Sequence, residues 1–343
     1  MAAETSEPGR RTGARRPTLE VVAARAGVSK SSVSRVVNGE HTVAPEIRDV
    51  VLRAVRELGY VPNAAARNLV TRRTDAVAMV VSDPPQGLLS DDPLFSTVVR
   101  AASRALEAAG KQVVLMLAES DRSRARVESY VAAGHVDGVL LVSLHGTDPL
   151  PAVLARSSLP VVSFGRTAAA SVPYADLDNT GGAGLAVRHL LERGRRRIAT
   201  LTGPLDLIDA RERLAGYREA LRGTGRRPLV ALGDFTRVSG AEAMRELLTD
   251  EPALDAVFAA NDLMAVGALR TLREAGRRVP DDVAVVGFDD IEAAAYSAPP
   301  LTTIRSPMAD QALATVHLLL TLLDGRPVTP VVMPNELVIR EST

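Results

Sequence analysis

Between Thr18 and Gly59, apolar residues recur at intervals of three and four; beyond Asp75 the rhythm changes to short apolar runs separated by amphipathic stretches. In the first part, Leu19, Val22 and Ala23 predict a short helix capped by Thr18. Ala26-Gly27-Val28 predicts a tight turn, and Val33, Val36 and Val37 form the buried stripe of a second helix, begun by Ser29 and stopped at Asn38-Gly39. A third helix is predicted from Pro45, a favourable first-turn residue, through Ile47, Val50, Val51, Ala54 and Leu58. A helix, a glycine turn and a second helix make a helix-turn-helix pattern.

After Asp75, strands are predicted at Ala76–Val81, Val113–Leu117, Gly138–Val142, Val161–Phe164, Ile198–Thr202, Ala256–Ala259 and Val283–Phe288. Helices are predicted between them at Ser96–Ala109, Gly181–Arg193, Ala210–Leu221, Ser239–Leu248 and Leu263–Ala275. Continuous apolar strands alternating with amphipathic helices imply parallel sheets covered on both faces, and there are enough strands for two of them. The expected fold class is α/β: a three-helix headpiece followed by two doubly wound parallel sheets.

Composition sharpens this picture. The 343 residues suit two or three domains, and no apolar run approaches the roughly 18 residues that cross a bilayer. Met1–Pro17 contains arginines but no apolar stretch, so it reads as a basic leader rather than a secretion signal, and a cytoplasmic location is expected. There is no cysteine, and the histidines (His41, His135, His145, His189, His317) show no metal-binding spacing, so neither cofactor nor metal is expected. Although the net charge is zero, residues 1–74 hold thirteen basic against seven acidic side chains. A basic first fifth on an acidic remainder suggests a small domain that meets a polyanion, the alternative being a solvated tail.

The second helix carries the matching chemistry. With its apolar stripe inward, Lys30, Ser31, Ser34 and Arg35 face outward, with Lys30 and Ser31 at the end that enters a major groove in helix-turn-helix proteins. Lysine and arginine donate to guanine and serine to several base edges, while Ser29 and Ser32 suit phosphates. In the later part, ligands are expected outside the carboxyl ends of the strands. Asp83, Asn261-Asp262 and Asp289-Asp290 follow such strands, and Arg213 lies near the start of the helix after Ile198–Thr202. No glycine-rich phosphate loop, nucleophile elbow or paired His/carboxylate motif is present, so an enzyme is not expected. A transporter's solute-binding protein would share the sheets but lack the headpiece.

The segments TLEVVAARAGVSKSSVSRVVNG and GYVPNAAARNLVTRRT resemble the headpiece and hinge of the lac repressor/gal repressor family. The later motifs DLDNTGGAGLAVRHLLERG, LTGPLDLIDARERLAGYREAL, AANDLMAVGALRTL, VPDDVAVVGFDDIE and PPLTTIRSP resemble the family core. The resemblance implies a periplasmic-binding-protein-like core with a small-molecule effector between two lobes, and a homodimer on operator DNA, with no membrane partner. It places Lys30, Ser31 and Arg35 at base-reading positions, and Asn38 joins them in the DNA-binding set. It also implies a hinge helix at Asn63–Val70, with Asn63, Ala66 and a minor-groove wedge, Leu69. The implied effector set is Arg213, Asn261 and Asp289, with Phe235 and Phe95 as aromatic faces. Arg, Asn, Asp and aromatic rings suit a polyhydroxy ligand, most readily a sugar. Replacing Arg213 or Asp289 is expected to abolish the effector response and spare folding.

The expected organisation is a leader (1–17), headpiece (18–62), hinge and linker (63–74) and core (75–343). Within the core, lobe one takes about 75–175 and 305–330, and lobe two 176–304 and 331–343. Three departures from the family pattern stand out: Asp209 where a small polar residue is frequent, Arg195 in place of a histidine, and a long loop at 83–94.

Overall fold

A computed structural model describes residues 17–37, 43–61, 73–82, 93–142 and 148–343. Asn38, Asn63, Ala66 and Leu69, the leader before Pro17 and most of the 83–94 loop, including Asp83, lie outside the described residues. The chain divides into two compact units between Thr74 and Asp75.

The first unit holds α1 (Leu19–Ala26), α2 (Lys30–Val37) and α3 (Pro45–Leu58). Val22, Val33, Val36, Val51, Ala54 and Tyr60 form its core, so the predicted stripes do face inward. Gly27 and Gly59 close α1 and α3 at φ of 66° and 59°, where a side chain would be strained. Ser29 caps α2 as expected, accepting from the Ser32 N–H at 3.1 Å. Thr18 does not cap α1.

The second unit contains two six-stranded sheets. Lobe one is built from β1 (Ala76–Ser82), β2 (Gln112–Ala118), β3 (Gly138–Val142), β4 (Val161–Phe164) and β5 (Tyr174–Leu177), with α4 (Pro93–Ala108), α5 (Asp121–Ala132) and α6 (Leu150–Leu154) between them. Lobe two takes α7 (Asn179–Glu192), β6 (Ile198–Thr202), α8 (Ile208–Leu221), β7 (Leu229–Leu232), α9 (Arg237–Asp250), β8 (Ala256–Ala259), α10 (Asp262–Glu274), β9 (Ala284–Asp289), α11 (Glu292–Ala295) and β10 (Thr302–Arg305). The chain then returns to lobe one with α12 (Met308–Leu323) and β11 (Val331–Met333) and ends in lobe two with β12 (Glu336–Val338). The sheet orders are β11-β5-β4-β3-β1-β2 and β12-β10-β9-β8-β6-β7. All described pairings are parallel except β10 with β12.

Every predicted strand is present within a residue or two of its limits. The five unpredicted strands are three or four residues long; β5 and β10 are interrupted by Asp176 or by threonines and an arginine, whereas β7 (LVAL) and β11 (VVM) are apolar but very short. They also move the lobe limits. β5 and β11 belong to lobe one and Arg305 to lobe two, so the three crossovers lie at 178, 306–307 and 334–335 rather than 175, 304 and 330. A short strand's sheet is chosen by its hydrogen-bonding partners, which local sequence does not encode.

One close approach sets the geometry of lobe two. At Gly216 on α8, a Cβ would lie 2.2 Å from the Thr180 carbonyl oxygen and 2.9 Å from the Ala183 Cβ on α7. Gly216→Ala is therefore expected to destabilise the protein by about 1–3 kcal/mol through forced separation of α7 and α8. Thermal unfolding measures this, and an unchanged midpoint would mean that the helices separate freely.

Candidate functional site

Lobe two brings four predicted residues together at the carboxyl ends of its strands. β6 and β8 flank the point where the strand order reverses, the position at which such sheets bind ligands. Arg213 extends from α8, which follows β6; Asn261 follows β8; Asp289 ends β9; and Phe235 follows β7. The Arg213 Nη1 stands 3.4 Å from the Asp289 Oδ1, with both side chains about 5% exposed or less.

Arg213 is held on several sides. Its Nε donates to the Asn179 Oδ1 at 2.9 Å and its Nη1 to the Ala260 carbonyl at 2.6 Å. The guanidinium lies 3.7 Å from the centre of the Phe288 ring and 5.9 Å from that of Phe235. Phe235 takes a φ of 69°. Its ring crosses Gly203, where a Cβ would fall 2.2 Å from the ring tip, so only glycine after β6 admits the aromatic face. The Asn261 amide is engaged at both ends, donating to the Phe235 carbonyl at 2.9 Å and accepting from the Met264 N–H at 2.9 Å. It thereby shapes the Phe235 turn and caps α10.

Asp289 takes a φ of 107°, a conformation that costs a non-glycine residue energy and persists only where neighbours impose it. The next residue supplies that hold: Asp290 accepts from Arg340 Nη2 at 2.6 Å and from Arg305 Nε at 2.8 Å. Asp262 adds a second anchor, accepting from Thr303 Oγ1 at 2.6 Å and from the Ile291 N–H at 2.9 Å. Burial raises the Asp262 carboxyl well above the usual range, and the Asp289 charge pushes the same way. Asp290 and Asp262 therefore position the loop, and Asp289 is the carboxylate left beside Arg213.

Phe95 stands apart from this group. Half-buried in the first turn of α4, it packs against the lobe-one core with Val98 and Ala102. Sequence reasoning missed Phe288 and Asn179, the ring and the amide that fix Arg213. The signal for Phe288 was present in GFDD, where an aromatic precedes the strand-end aspartate.

Comparison with known proteins bears on what this arrangement serves. A family model described as "Bacterial regulatory proteins, lacI family" matches residues 18–63, and one described as a periplasmic binding protein-like domain matches 187–343. The HTH-type transcriptional regulator CelR of Thermobifida fusca is 49% identical over 96% of this chain and 98% of its own. The chain belongs to the lacI family of bacterial regulatory proteins. The ribose operon repressor of Escherichia coli K12 is 37% identical over 84% of this chain and 88% of its own. Among solved structures, a complex of the regulator CelR with cellobiose matches at 47% identity and a TM-score of 0.74, covering 96% of this chain and all of that one. The lac repressor dimer bound to operator matches at 31% and 0.85, covering 96% of this chain and 99% of that one.

In this lacI-family chain the candidate DNA-reading side chains cluster on α2. Lys30, Ser31 and Arg35 are exposed, and Ser32 and Ser34 are half-buried. The Ser29 hydroxyl meets those of Ser31 and Ser32 at 2.8 and 2.9 Å, gathering three hydroxyls at the positive end of the helix. The Lys30 ammonium is paired with Glu20 on α1, an interaction that sequence reasoning missed. No described helix is long and apolar enough to cross a membrane.

Proposed function

We propose that this chain is a non-enzymatic cytoplasmic regulator, a repressor of a carbohydrate uptake or catabolism operon. It binds a near-palindromic operator as a homodimer and changes its hold when a sugar enters the interlobe cleft. The observation that carries this reading is the buried Arg213–Asp289 pair flanked by Phe235 and Phe288, at the strand ends where such sheets take ligands. Forked donors and an acceptor suit vicinal hydroxyls, and aromatic faces suit a pyranose ring. The relative solved with cellobiose, at 47% identity, makes a β-linked glucose disaccharide the first candidate.

On the DNA side, Lys30, Ser31, Ser34 and Arg35 meet base edges, and Ser29 and Ser32 meet phosphates. Asn38 and the hinge residues Asn63, Ala66 and Leu69 complete the interface. The edge strands β2 and β7 support the dimer. Each lies at the margin of its sheet and exposes a leucine, Leu115 or Leu232, of the kind a second copy covers.

The test is calorimetric titration with a panel of sugars, followed by the same titration on operator selected from random DNA. A sugar that binds and changes operator affinity supports the reading, and the sign of the change separates inducer from corepressor. Operator affinity indifferent to every sugar that binds would refute it.

A third expected result concerns the hinge. Asn63–Val70 lies outside the described residues, and at eight residues it is shorter than an isolated helix needs in water. Leu69→Ala is expected to weaken operator binding at least several-fold and to spare sugar affinity, because an apolar wedge acts by unstacking and kinking the DNA. Equal operator affinity in the variant would remove Leu69 from the interface.

A further inference from the structure

A chain of polar contacts leaves the Arg213 site and crosses between the lobes. Asn179 accepts from Arg213, and Glu212 is the residue next to Arg213 on α8. Glu212 on α8 accepts from the Arg166 Nη1 at 2.7 Å, and Arg166 belongs to lobe one, just after β4. The Arg166 Nε stands 3.2 Å from the Asp176 Oδ2, on β5, and its guanidinium lies 5.3 Å from the Tyr174 ring centre. Asp209, one helical turn before Arg213 on α8, adds its charge to Asp176 and Glu212. Two carboxylates thus contact one guanidinium, and a third acts on the group through its charge.

Asp176 is unusual within this group. It is 1% exposed, and its Oδ1 accepts from the Leu177 N–H at 2.8 Å. Its Oδ2 faces Arg166 without hydrogen-bond geometry and has no hydrogen-bond partner among the described residues. A buried carboxylate oxygen without a hydrogen bond calls for a donor.

We propose that Asp176, with Asp209 and Glu212 of the facing lobe, forms a charge filter along the effector cleft. It accepts hydroxyl donors of a neutral sugar and turns away anionic analogues, while Arg166 ties the two lobes' carboxylates together. This rests on the sugar reading given above. Burial, reinforced by Asp209, pushes the Asp176 carboxyl up to about 7. Around it stand Asp209, Glu212, Arg166 and Tyr174, with Asp178 beside Glu212. The filter therefore gains charge as the pH rises through neutrality, and discrimination against anions strengthens.

The experiment titrates the full-length protein with cellobiose, with its aldonic acid and with its non-reducing-end 6-phosphate, so that the added charge sits at either end. A like charge a few ångströms away is expected to weaken both anions about tenfold or more against cellobiose in the wild type. Asp176→Asn and Asp209→Asn are expected to shrink that gap to a few-fold and to flatten its dependence on pH between 6 and 8, on the scale of ~1 pH unit either side of the titration. A purely structural role would weaken all three ligands alike and leave their ratio unchanged, which overturns the filter. An anion bound by the wild type as tightly as cellobiose also overturns it. Binding of none of the three refutes the choice of sugar and, with it, the filter that rests on that choice.

Discussion

Arg213→Ala is expected to abolish the response to the sugar and, in addition, to lower the protein's stability. Both consequences follow from burial. The guanidinium faces Asp289 at 3.4 Å and donates to Asn179 and Ala260, with about 5% of the side chain exposed. Removing it leaves the Asp289 carboxylate uncompensated inside lobe two, a loss of about 3–5 kcal/mol for a buried pair broken on one side. Asp289→Ala leaves a buried guanidinium with its other partners intact, so its cost is expected to be smaller. The sequence-based expectation that both variants fold normally is thus revised, since burial of the pair was not visible from strand ends. Ligand affinity is expected to fall by a further ~1–3 kcal/mol for each lost hydrogen bond. Calorimetric titration separates the two effects when run beside thermal unfolding: a variant that melts early yet binds sugar at full strength would move the effector site elsewhere. A double-mutant cycle with Arg213→Met and Asp289→Leu isolates the coupling.

Replacing Lys30 and Arg35 together with alanine is expected to give the largest loss of operator binding, about 1–3 kcal/mol for each side chain. Binding to random DNA is expected to change much less, because it depends on phosphate contacts and counterion release. The structure refines this expectation for Lys30. Its ammonium is tied to Glu20 and must leave that carboxylate to reach a base, so Lys30→Ala belongs at the lower end of the range. The same contact, with the Thr18 hydroxyl and a backbone N–H assisting, holds the Glu20 carboxyl down at about 2. Fluorescence anisotropy on selected and scrambled DNA over a salt series decides the matter. Equal losses on both DNAs, with a shallower salt slope, would make these side chains phosphate contacts only.

The headpiece was legible because each of its signals is local. Val33 and Val36 mark a buried stripe, Ser29 a cap, and Gly27 and Gly59 left-handed stops, and each is decided within a turn or two of helix. Thr18 shows where that logic ends: it stands at the N-cap of α1, yet its side chain makes no cap hydrogen bond. The central parallel strands were legible because burial on both faces demands continuous apolar runs, as in β1 and β9.

The chain alone also determined that Arg213, Asn261 and Asp289 stand near the carboxyl ends of strands, which is enough to name them as site candidates. Only the tertiary structure decided which groups they touch there. It divided the roles of Asp289 and Asp290 by bringing Arg305 and Arg340 to one and Arg213 to the other. It packed the partly buried Phe95 against the lobe-one core cluster, and it gathered Arg166, Asp176 and Glu212 across the lobes from three separate elements. The physical reason is the range of the interactions. Caps, stripes and strand ends are set by neighbours in sequence, whereas the fate of a buried charge depends on which distant group folding places within hydrogen-bond reach.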